Sequence, residues 1–102
     1  MSTIPTASAG NVVLNGYIDV PADRIEAVSA ALVQHIALTR AEAGCRYFDV
    51  TPDPSIEGRY NVYEIFTERA TFDFHQKRTG ESPWAKVSAG IERHFVVTDV
   101  SS

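Results

Sequence analysis

His75 closes the run Phe72-Asp73-Phe74-His75, which follows directly on the apolar stretch Tyr60-Asn61-Val62-Tyr63-Glu64-Ile65-Phe66. On a helix, Phe72 and His75 share one face, and a helix laid over the preceding strand turns that face toward a wall between helix and sheet. Unperturbed imidazole titrates near about 6.5, so a histidine on such a wall is largely neutral at cellular pH and can take a proton or orient a hydroxyl. The plainer alternative is a helix histidine tied to a backbone carbonyl.

Asn15 is the second residue suited to chemistry. It lies between Val13 and Tyr17 on one face of an alternating run. An amide there either donates to a developing oxyanion or bonds its strand neighbours. Phe72, Trp84 and Tyr63, with Tyr17 beside Asn15, are flat walls for a ring substrate, although aromatics in so small a domain are more often core than site because their burial dominates its stability. Glu64 is unusual on an apolar strand and is expected to pair with Arg46 or Arg59 across a hairpin. Cys45 reads as a small packed side chain, since nothing local favours its thiolate. His75, His94 and Glu64 are the one set resembling a two-histidine, one-carboxylate metal site, but they sit on separate elements without ligand spacing, so no metal is expected.

The elements that must position these residues are legible from periodicity. Val12, Leu14, Ile18 and Val20 alternate in a first strand from Asn11 to Val20, with Gly16 marking a bulge or a close backbone approach. Asp23-Arg24-Ile25-Glu26 resembles a capping box, and Ile25, Val28, Leu32, Ile36 and Thr39 form a helical stripe with His35 beside it, ending before Gly44. Cys45 to Val50 and Arg59 to Thr67 read as strands joined by the turn-rich Thr51 to Gly58. Thr67 is placed to cap a second helix that Thr79-Gly80 interrupts, and Ser82-Pro83-Trp84 restarts a helical segment ending near Gly90. His94 to Val100 alternates as the last strand.

The order strand, helix, strand, strand, helix, strand is that of a ferredoxin-like β-α-β-β-α-β chain, an α+β fold with both helices on one face of an antiparallel sheet. The opposite face carries apolar side chains and calls for a two-fold partner. With 102 residues the chain suits one domain, over 11–100, after a small mobile tail at 1–10. A net charge of -4, without a lysine or arginine run, argues against nucleic acid as a partner. No stretch has the length of a membrane span or the layout of a secretion signal, and a lone cysteine fits a cytoplasmic location.

Glu42-Ala43-Gly44-Cys45, Tyr47-Phe48-Asp49-Val50, Tyr63-Glu64-Ile65-Phe66 and Ala70-Thr71-Phe72 leading to His75 resemble, in that order, the antibiotic biosynthesis monooxygenase domain, including small quinol monooxygenase-like proteins. The resemblance covers about residues 11–100. It implies a dimeric α+β barrel whose subunits each hold a pocket between sheet and helices. The implied activity is oxidation of a small quinol, phenol or anthrone-like aromatic by O2 without metal or flavin, with His75 and Asn15 at the reacting end. By the same resemblance, haem-degrading relatives carry a tryptophan at the position of His75 and a histidine near that of Ser88, so their haem ligand is absent here. A non-catalytic ligand-binding or structural dimer and an isomerase-type relative are the alternatives within the fold.

Overall fold

A computed structural model describes residues 4–101. The elements run β1 (Val12–Asp19), α1 (Ile25–Arg40), β2 (Cys45–Pro52), β3 (Arg59–Phe66), α2 (Arg69–Gly80), α3 (Pro83–Val87) and β4 (Glu92–Asp99). All strand pairs are antiparallel, in the spatial order β2-β3-β1-β4. This is the expected ferredoxin-like α+β architecture.

Alternation along the strands divides the sheet. Val12, Leu14 and Ile18 of β1, Phe48 and Val50 of β2, and Val62 and Phe66 of β3 are buried beneath Val28 and Leu32 of α1 and Phe72 of α2. Each such side chain contributes about 1.5–3 kcal/mol by leaving water, which is the main force seating the helices. The other face carries Val13, Asn15 and Tyr17, in register with Ile65, Tyr63 and Asn61. Among the described residues no helix covers that face. Edge strand β4 is exposed along its whole length, and Val96 on the open face is 68% exposed.

Several local expectations are corrected. Asp23 caps nothing. A single 3-10 turn over Ala22–Arg24 precedes α1, with Arg24 at its N-cap and the Arg24 amide donating to the Pro21 carbonyl. The buried stripe of α1 is Val28, Leu32, His35 and Thr39, whereas Ile25 and Ile36 are only partly covered. His35 therefore belongs to the core face. Glu68, not Thr67, caps α2, and its amide donates to Thr71 Oγ1 at 3.1 Å. Ser82 precedes Pro83 as expected, but its hydroxyl donates to the Thr79 carbonyl at 2.7 Å rather than capping α3.

Gly16 marks a close approach. A β-carbon there would stand 1.9 Å from the His94 carbonyl oxygen, so only glycine lets β4 lie against β1. The N-terminal tail makes hydrogen bonds to the body of the fold within the described residues. Arg46 donates to the Thr6 carbonyl, the Ser8 amide to Asn11 Oδ1, and the Gly10 amide to the Val100 carbonyl. Residues 1–3 of that tail lie outside the described residues.

Candidate active site

His75 is 2% exposed and points from α2 toward the sheet, against the rings of Phe66 and Phe48. Two carboxylates reach it from different elements. Nδ1 lies 2.9 Å from Glu42 Oε2, just beyond the end of α1, and Nε2 lies 3.8 Å from Glu64 Oε1 on β3. An ionised carboxylate only accepts, so the Glu42 contact places the imidazole proton on Nδ1. Nε2 is then an acceptor, with Thr79 Oγ1 at 3.4 Å and Glu64 facing it.

The arginine expected to pair with Glu64 is absent. Five positions separate Glu64 from Arg59, so the two side chains fall on opposite faces of β3. Arg59 instead clasps Asp19 at 2.8 and 3.0 Å, and Arg46 donates to Asn11 Oδ1 at 2.6 Å. Glu64 thus faces the helices with Oε1 buried and unpartnered. Burial, helped by the negative charge of Glu42, pushes its carboxyl up to about 8, so it holds a proton at neutral pH.

Glu42 is also gripped by Arg78, whose Nε donates to Oε2 at 2.8 Å while its terminal nitrogen donates to Thr39 Oγ1 at 3.1 Å. Burial lowers the titration of His75, and the hydrogen bond to Glu42 works in the opposite direction. His35 completes the cluster. Its ring lies 6.0 Å from that of His75 and stacks on Trp84 at 4.8 Å with 7° between the planes. Burial, followed by the charges of His75, Arg78 and Arg93, lowers its pKa to about 4, and its Nδ1 has no partner.

A cavity of about 50 Å³ adjoins this cluster, walled by His35, Phe48, Val62, Glu64, Trp84 and Phe95 among others. That is space for a water or two. Arg93 and Phe95 bound it on the β4 side, where the strand is exposed. The arrangement suits proton transfer: a neutral carboxylic acid and a neutral imidazole stand in largely apolar walls, and a second imidazole behind the acid connects to an ionic pair.

Of the residues singled out in the sequence, His75, Phe72 and Trp84 lie on the helix side. Phe72 packs edge-on against Phe66 at 5.8 Å and does not line the cavity. Asn15, Tyr63 and Tyr17 lie on the open face. Asn15 is exposed there between Tyr63 and Val96, so the sheet separates it from His75 and the two do not share a site within one chain. Tyr17 stacks on His94 at 4.7 Å with the Arg59 guanidinium 3.7 Å from its centroid. His94 lies on that same face, apart from His75 and Glu64. Its ligand atom lies within 4.8 Å of those of Asp19 and Glu92, but Asp19 is already neutralised by Arg59. Burial pushes the Cys45 thiol up to about 11, consistent with a packing role.

The sequence reading did not single out His35, Glu42 or Arg78 as site residues. Only His35 had a usable signal, its place four, three and four residues apart in Val28, Leu32, His35 and Thr39.

Fold and site together define a small ferredoxin-like α+β domain with a buried carboxylate and imidazole cluster beside an internal cavity. The antibiotic biosynthesis monooxygenase family model matches residues 11–82, and the chain belongs to that family. No curated protein matches it. Among solved structures it is similar to a candidate antibiotic biosynthesis monooxygenase from Nitrosomonas europaea, at 20% identity and a TM-score of 0.79 over 94% of this chain and 95% of that one. It is also similar to one from Deinococcus radiodurans, at 18% identity and a TM-score of 0.77 over 89% and 93% of the two chains. Rv0793 from Mycobacterium tuberculosis is 23% identical, with a TM-score of 0.71 over 90% of this chain and 96% of that one. At these identities the likeness is one of fold.

Proposed function

We propose that the protein is a cofactor-independent monooxygenase acting on a small electron-rich aromatic, a quinol, phenol or anthrone-like compound, with O2 as co-substrate. In such a reaction loss of a proton makes the substrate electron-rich enough to reduce O2. One oxygen atom enters the ring system and the other leaves as water, all four electrons coming from the substrate. The protein must remove the proton, hold the resulting anion and keep water out.

The observation that carries this reading is the cavity between helices and sheet, where His35, Glu64 and Trp84 meet with His75 directly behind. Neutral imidazole at His35 and a proton-holding Glu64 supply acid and base at near-neutral pH. Trp84 and Phe48 supply ring faces. A ring substrate needs more than about 50 Å³ of room, so entry requires outward movement of the uncovered β4 side at Phe95. The open sheet face, with Val96 exposed beside Asn15 and Tyr63, supports a homodimer in which a second copy covers it.

O2 uptake with a panel of hydroquinones, phenols and anthrones tests the reading. The wild type should consume O2 with at least one member, and His75→Ala should lower kcat by about 10²-fold or more while retaining its circular dichroism spectrum. Absence of uptake across the panel by the folded protein counts against it. The small size of the cavity favours one second reading, a dimer that binds a small aromatic without turning it over. Trp84 fluorescence responding to panel compounds without O2 uptake would select that reading.

A further inference from the structure

His75 touches two carboxylates that open onto different spaces. Glu64 lines the internal cavity of about 50 Å³, whereas Glu42 forms part of the floor of an outer groove of about 600 Å³ with Leu38, Gly44, Thr71, Phe74 and Arg78. Glu64, His75 and Glu42 therefore cross the helical layer in single file, at 3.8 Å on one side of the imidazole and 2.9 Å on the other. Each is nearly enclosed, with side chains 6%, 2% and 7% exposed. Neither end of the file is closed by a competing ion pair except at Arg78, which grips the Glu42 oxygen already bonded to His75.

We propose that Glu64, His75 and Glu42 form a proton relay that connects the internal cavity to the outer groove. In the resting state the proton of Glu64 faces Nε2 of His75, from which it must displace the Thr79 hydroxyl at 3.4 Å, and the proton on Nδ1 faces Glu42. Transfer moves the Glu64 proton to Nε2 and the Nδ1 proton to Glu42 Oε2. The imidazole ends neutral in its other tautomer, and Glu64 is left as a carboxylate base at the cavity wall. Because Glu42 Oε1 is buried without a partner, the proton on Oε2 then leaves past Arg78, which lines the groove beside Glu42. The 3.8 Å gap must close by about 1 Å to reach hydrogen-bond length before the first transfer.

The groups facing this file are His35 and Thr39 on α1, Cys45 on β2, Arg78 and Thr79 on α2, and Arg93 on β4. Arg78 is the one that touches the relay ionically. A proton raised to pKa about 8 at Glu64 is consistent with a donor resting at the cavity end. The catalytic purpose of the relay rests on the monooxygenase reading, but the coupling between the three side chains does not.

Nuclear magnetic resonance on the wild-type protein, with 15N-labelled histidine and 13C-labelled glutamate carboxyls, tests the relay without any substrate. His75 should show the Nδ1–H tautomer at neutral pH, and its Nε2 signal should move with the same midpoint as the Glu64 carboxyl. In Glu64→Gln that shared step should vanish, and in Glu42→Gln the proton should shift toward Nε2. A His75 signal that does not follow Glu64, or that keeps its tautomer in folded Glu42→Gln, overturns the relay. Any quinol the wild type turns over then gives the kinetic arm. Glu42→Gln should lower kcat with little change in KM, and added free imidazole should restore part of the rate. Wild-type protein that shows the coupling but consumes no O2 retains the relay and discards the monooxygenase reading.

Discussion

The His35 imidazole lies parallel to the Trp84 indole, 4.8 Å centroid to centroid and 7° from coplanar, with the cavity beside both. The stack fixes a helix side chain from α1 against α3, and it does so with a histidine whose pKa is held down to about 4. In the unfolded chain the same imidazole titrates near about 6.5. As pH falls from there toward 4, the unfolded state gains a proton that the folded state refuses, and stability is lost at about 1.4 kcal/mol per pH unit.

His35→Phe should keep an aromatic face on Trp84 and remove this acid limb. Between pH 7 and pH 4.5, the variant should lose about 2–3 kcal/mol less stability than the wild type in urea unfolding. Parallel losses in the two proteins would show that His35 accepts a proton in the folded state.

Glu64 works in the opposite direction. Its folded pKa of about 8 lies above that of a free glutamate, so the unfolded state releases the proton first as pH rises. The stability that burial of the neutral acid allows is fully present below about 4.5 and declines until pH passes 8. Glu64→Gln should therefore gain on the wild type with rising pH, by up to about 5 kcal/mol between pH 4.5 and pH 8. Unfolding curves at those two pH values measure it, and an equal offset at both would contradict the raised pKa.

Gly44 lies where the chain leaves α1 for β2, under α2. A β-carbon on it would meet the Thr71 β-carbon at 2.3 Å, and because that atom is at the root of its side chain, α2 itself would have to move. Gly44→Ala should cost about 1–3 kcal/mol. Gly80→Ala, where a β-carbon meets nothing within 4 Å, should be neutral or slightly stabilising. Thermal melts of the pair, recorded side by side, distinguish steric crowding from a general intolerance of glycine replacement.

The homodimer proposed through the open sheet face has its own test. Val96 is 68% exposed on that face and distant from His75, so Val96→Glu should convert a dimer to a monomer in analytical ultracentrifugation while leaving the far-ultraviolet spectrum unchanged. A dimer that survives the substitution uses another surface.

Much of the fold was legible because strand alternation and the helical repeat are local. Val12, Leu14 and Ile18 announce β1, and the run from Arg59 through Phe66 announces β3. Of the site, His75 and the ring wall Trp84 were legible, and Glu64 stood out without its partner. Asn15 and His75 could be assigned to a strand and a helix, but alternation defines two faces without saying which one the helices cover. In the fold, the helices cover the face of Leu14, and Asn15 lies on the other.

By itself, then, the sequence determined the order of elements, the α+β class and the presence of a histidine and a glutamate on adjoining apolar segments. Only the tertiary structure decided what surrounds that histidine. Glu42 is 33 residues away along the chain and sits past the end of α1, where no periodicity governs a side chain's direction. Glu64 could have met an arginine across the hairpin, but the parity of β3 turns it inward, away from Arg59 and toward His75. Local pattern sets which face a side chain occupies. Packing of distant elements sets which charged groups share the interior, and with them the protons the site can hold.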